Sequence, residues 1–120
     1  MPQPSPKSVI WLADALAVLR TCPQGVQDEI GYAPYLAQIG AKYTGAKPLK
    51  GLGSGVLEVV ANHRGDAYRA VYTVRFPQRV YVLHVFQKKS KKGVGTPKSE
   101  LELVRQRLKR AAELEQKREH

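Results

Sequence analysis

Residues 67–98 decide how this chain is read: AYRAVYTVR (67–75), FPQR (76–79), VYVLHVFQKKSKKG (80–93) and, after Val94 and Gly95, TPK (96–98). Two runs rich in Val, Tyr and Phe, separated by a proline-containing turn, are strand sequences. Arg69 interrupts the first of them. A guanidinium is costly to bury unless it meets an anion. Lys88, Lys89, Lys91, Lys92 and Lys98 follow the second strand with no acid among them. An arginine one strand away from such a cluster points to phosphate as that anion.

Working outward, HRGD (63–66) is a second tight turn, so Val56–Asn62, Ala67–Arg75 and Val80–Gln87 form an antiparallel meander. Alternation places Arg69, Val71 and Thr73 on one face of the middle strand and Tyr68, Ala70, Tyr72 and Val74 on the other. On the last strand it groups Val80, Val82, His84 and Phe86. Upstream lies a glycine-rich basic loop, GAKPLKGLGSG (45–55), which contains Lys50. Lys7–Leu12 reads as a first strand, and Ala13–Arg20 as a short helix ended by Cys22-Pro23. Val26, Ile30, Ala33, Ala37 and Gly40 repeat at helical spacing across Gln24–Tyr43, where Pro34 should kink or split the helix. At the far end, Thr96 suits an N-cap and Pro97 a first helical position. Leu101, Val104, Leu108 and Ala111 form the apolar stripe of the closing helix, which frays beyond about Leu114.

These elements give an α+β fold: N-terminal helices on a small, mainly antiparallel sheet, with a C-terminal helix. The 120 residues make one domain, with residues 1–6 and about 115–120 expected to be loose. Twenty Lys and Arg against ten Asp and Glu give a net charge of +10, which favours polyanionic partners over a merely solubilising surface. The lone Cys22 fits a reducing compartment. The apolar run Val9–Leu19 is too short to span a bilayer and lacks the flanks of a signal peptide, so a cytoplasmic protein without a membrane role is expected.

Three scattered histidines and one cysteine make no metal-ligand spacing. GLGSG (51–55) lacks the Gly-Lys-Ser/Thr of a phosphate loop, and no Ser/His/Asp set can be located. Neither a metal nor another cofactor is expected, and basic chemistry remains.

KPLKGLGSGVLEV (47–59), YRAVYTV (68–74), VYVLHVFQKKSKKG (80–93) and TPKSELELVRQRL (96–108) resemble toxins of the RelE/ParE superfamily of type II toxin–antitoxin systems, in particular its phage-derived Gp49-like, HigB-type branch. The resemblance runs from about Lys7 to Ala112. It implies helices on one sheet face, a basic groove on the other, and metal-independent cleavage of mRNA in the ribosomal decoding site. It also implies a cognate antitoxin, usually a helix-turn-helix protein.

Such cleavage uses the substrate's 2′-hydroxyl as nucleophile, so the enzyme must move protons and stabilise a phosphorane. By its match to the family's YR-x-x-Y strand, Arg69 is the expected phosphorane clamp. Lys88 and Lys89 match the basic pair after the last strand, and Lys50 is a further catalytic candidate. His63, Arg64, His84, Lys91 and Lys92 are candidate RNA contacts. Glu58 departs from the pattern, because some relatives carry lysines on that strand. Plainer readings stand beside these: Arg69 bridged to Glu58 or Asp66, the lysines as a solvated corner that blunts a sheet edge, and His84 as a satisfied core histidine. A non-catalytic, gyrase-inhibiting toxin of ParE type is the rival function, followed by a decayed toxin that still binds its antitoxin.

Overall fold

The computed structural model describes residues 6–88 and 96–118. Its elements run β1 (Ser8–Trp11), α1 (Ala15–Thr21), α2 (Gln24–Gln38), β2 (Lys47–Pro48), β3 (Val56–His63), β4 (Asp66–Thr73), β5 (Arg79–Lys88) and α3 (Lys98–Arg118). The sheet order is β1-β5-β4-β3-β2, antiparallel except for the parallel β1–β5 pair. The expected α+β meander is present. The β3–β4 turn is two residues long, and Arg64 and Gly65 both take positive φ (50° and 86°), the backbone of a primed hairpin turn.

Helices cover both faces of the sheet. Leu19, Val26, Ile30 and Ala33 of α1 and α2 pack with Val59, Ala70, Tyr72, Val80, Val82 and Val85. On the other side Val104, Leu108 and Ala111 of α3 pack with Val56, Val71, Tyr81, Leu83 and Phe86. Each fully buried valine here stabilises the fold by about 1.5–3 kcal/mol relative to exposure. α3 roofs part of the face on which a basic groove is expected, because its apolar stripe needs a surface to bury against.

A bulge corrects the face assignment on β5. The register passes from Val71↔His84 to Tyr72↔Val82, leaving Leu83 without a partner on β4. The extra residue reverses the alternation, so Val80 and Val82 face α1 and α2 while His84 and Phe86 face α3.

Helix ends also differ from expectation. α2 runs unbroken through Pro34 and stops at Gln38, not Tyr43. Ala41 N–H bonds to Leu36 O and Gly40 N–H to Ala37 O, with Gly40 at φ +80°, a Schellman ending that a Cβ would strain. Pro97 O accepts from Leu101 N–H, so Pro97 rather than Thr96 stands at the cap of α3. α3 does not fray at Leu114. Buried Glu115 accepts from Arg79 Nη1 (2.6 Å) and from the Tyr81 hydroxyl (2.6 Å), which pins the last turns to β5.

Burial pushes the Tyr72 phenol up to about 12. Its neutral form is favoured in the fold, so this stability is fully present below the unfolded value near 10 and is lost as pH rises towards 12. Tyr72→Phe is expected to flatten the fall in urea midpoint between pH 9.5 and 11.5 relative to the parent protein; parallel curves for the two would contradict the assignment.

Candidate active site

Register builds the site. Glu58 lies opposite Val71 and Val60 opposite Arg69, so Glu58 and Arg69 are diagonal neighbours on the face that α3 partly covers. Arg69 Nη1 donates to Glu58 Oε1 at 2.9 Å and approaches Thr96 Oγ1 at 3.4 Å. Thr96 Oγ1 in turn donates to Glu58 Oε2 at 2.5 Å. Both side chains of the ion pair are nearly nine-tenths buried, at 11% and 12% exposure. Arg69 Nε is buried without a hydrogen-bond partner, the single such side-chain atom among the described residues. A buried donor left unpaired costs about 1–3 kcal/mol.

These groups line a concavity of about 330 Å³ together with Pro48, Leu49, Lys50 and Leu101. Lys50 is carried there by the glycine-rich loop, which Arg75 staples: its Nη2 donates to Leu52 O (2.6 Å) and its Nε to Ser54 O (3.0 Å). Gly53 (φ +82°) permits that approach, since a Cβ there would sit 2.7 Å from Arg75 Nη2.

The structure thus brings Arg69 and Lys50 together. Lys88, opposite Ala67 at the end of β5, is on the strand next to Arg69, which itself lies opposite Phe86. His63 and Arg64 sit at the β3–β4 hairpin tip and do not line the concavity. Lys89, Lys91 and Lys92 lie outside the described residues. His84 is corrected from an RNA contact to an internally held group. Its Nε2 meets Glu100 Oε2, its Nδ1 takes a hydrogen bond from Arg107 Nη1 at 3.0 Å, and its ring stacks on Phe86 at 4.8 Å. Arg107 can only donate, so the ring proton belongs on Nε2, directed at Glu100. Arg107 also reaches Leu83 O (3.0 Å) and Asp14 Oδ1 (2.9 Å), tying α3 to the bulge and to the start of α1.

The plainer reading of Arg69, bridged to Glu58, is the one the structure shows, whereas Thr96 was not anticipated as a member of the site. Glu58 was derivable, because the HRGD turn fixes the register that sets it diagonal to Arg69. Thr96 carried no signal beyond its suitability as a cap. No group of His, Cys, Asp and Glu among the described residues could hold a metal ion. No described helix is long and apolar enough to cross a membrane.

A family model described as phage-derived protein Gp49-like matches residues 17–109. The fold is similar to that of the Escherichia coli toxin RelE, solved as a double arginine-to-alanine mutant in the free state. The TM-score is 0.56 at 18% identity, covering 88% of this chain and 97% of that one. No curated protein sequence matches the chain.

Proposed function

The chain belongs to the phage-derived Gp49-like family, and from that membership and the Arg69 concavity we propose that it is the toxin of a type II toxin–antitoxin pair, acting in the cytoplasm as a ribosome-dependent mRNA endonuclease. The observation that carries the reading is the nearly buried guanidinium of Arg69, on the lining of a concavity that also holds a carboxylate and a lysine.

In this reading an RNA phosphate takes the place of Glu58 on the guanidinium. Arg69 then holds two phosphate oxygens through its planar fork. The displaced Glu58 carboxylate takes the proton from the 2′-hydroxyl as that oxygen attacks phosphorus. Negative charge growing on the phosphorane falls on Arg69, with Lys50 and Lys88 adding positive field. The bond from phosphorus to the 5′-oxygen breaks as a lysine ammonium delivers a proton to that oxygen. The products are a cyclic 2′,3′-phosphate and a free 5′-hydroxyl. A cognate antitoxin of helix-turn-helix type would restrain the activity.

Inducible expression tests this. Growth should stop, and transcripts should carry cuts inside translated codons with 5′-hydroxyl ends. Intact messages during complete arrest would overturn it. The closed Arg69–Glu58 pair favours a second reading, a non-catalytic gyrase-inhibiting toxin, whose mark would be a DNA-damage response without mRNA cuts.

A further inference from the structure

A second cavity, of about 370 Å³, opens on the other side of the sheet, at the C-terminal end of α2. Its apolar lining is Ala37, Leu57, Tyr72 and Val74, and Lys7 and Lys42 line it as well. Leu57 and Tyr72 are the sequence neighbours of Glu58 and Val71. Strand alternation therefore turns this cavity away from the Arg69 concavity.

We infer that this cavity docks an acidic segment of a partner protein that presents one large apolar side chain. Three of its lining residues carry polar side-chain groups that have no partner among the described residues. Neither Lys7 nor Lys42 pairs with a carboxylate among the described residues. Tyr72 as a whole residue is 2% exposed, its hydroxyl is not among the fully buried atoms left unpaired, and no described group hydrogen-bonds that hydroxyl. Two ammonium groups and a phenol suit carboxylates. The aliphatic floor suits a Leu-sized side chain, and the volume falls in the ordinary range of ligand sites. An RNA backbone would satisfy the lysines but leave that floor empty. The Schellman ending fixes Gly40 and Ala41 along the rim, so the site is set by folded backbone rather than by a free loop. A partner seated here leaves the Arg69 concavity accessible, and the inference does not depend on the proposed RNA cleavage.

The test titrates the full chain, followed by backbone amide NMR, with a blocked pentapeptide carrying one leucine between two pairs of glutamates. Shifts are expected at Lys7, Ala37–Lys42, Leu57 and Tyr72–Val74. Lys7→Gln and Lys42→Gln should each weaken binding at least threefold, and together at least tenfold. Replacing the glutamates by glutamine, or the leucine by serine, should each weaken it at least tenfold. Shifts confined to the Arg69 concavity, indifference to the lysine variants, equal binding of the serine peptide, or tighter occupation of the same residues by a short RNA would each overturn the inference. The lysine variants should retain whatever mRNA cleavage the parent shows, so failure of one proposal is distinguishable from failure of the other.

Discussion

Arg69→Ala is expected to lower mRNA cleavage by roughly 10²–10³-fold, the usual effect of deleting one preorganised charge at a developing oxyanion. It should also destabilise the protein. Glu58 would keep Thr96 as a donor but lose its counter-charge in a nearly buried position. Breaking one side of such a pair costs about 3–5 kcal/mol. Loss of activity from this variant alone could therefore be mistaken for unfolding, and two companions separate the effects. Arg69→Lys keeps the charge and most of the stability but cannot hold two phosphate oxygens at once, so cleavage should fall at least tenfold. The double variant Arg69→Met with Glu58→Leu removes both buried charges and should melt close to the parent, while cleavage disappears. Measured by primer extension on translated messages and by thermal denaturation, normal cleavage in the double variant would remove Arg69 from the chemistry.

Glu115→Ala is expected to produce the largest loss of stability on the α3 side, about 2–4 kcal/mol, with a fall in melting temperature of roughly 10 °C or more. Three effects add. Tyr81 loses the acceptor of its hydroxyl, Arg79 loses its counter-ion, and a gap opens between α3 and β5. The estimate sits below the full cost of a broken buried pair because Arg79 is about one-quarter exposed, at 25%. Glu115→Gln keeps an acceptor for Tyr81 and should recover about half the loss. A melting curve unchanged by Glu115→Ala would mean that the last turns of α3 lie outside the cooperative unit.

The meander, the existence of a first strand and the faces of β4 were legible because those signals are local: alternation, turn residues and apolar runs. Arg69 could be singled out for the same reason, as a charge inside an apolar strand. The bulge at Leu83 left no such trace, since nothing in VYVLHVFQ announces an extra residue, and His84 was consequently misplaced. Its real surroundings come from Glu100 and Arg107, sixteen and twenty-three residues away, through helix docking that periodicity does not encode. The end of α3 misled in another way. Beyond Leu114 the sequence is polar, and only the approach of Arg79 and Tyr81 makes a buried glutamate there favourable. Glu58 lies between these cases, read both as a departure from the family pattern and as one of two possible partners of Arg69, but not as the acceptor that Thr96 also requires.

The brevity of the Arg64-Gly65 corner constrains how this protein can evolve. Length changes in the glycine-rich loop or near the termini shift surface segments, whereas one residue gained or lost at this corner would slide β3 past β4 by a single step. Glu58 would then emerge on the side of α1 and α2, stranding its charge among aliphatic neighbours while Arg69 stayed behind. Relatives that vary in this corner should do so in pairs of residues or not at all.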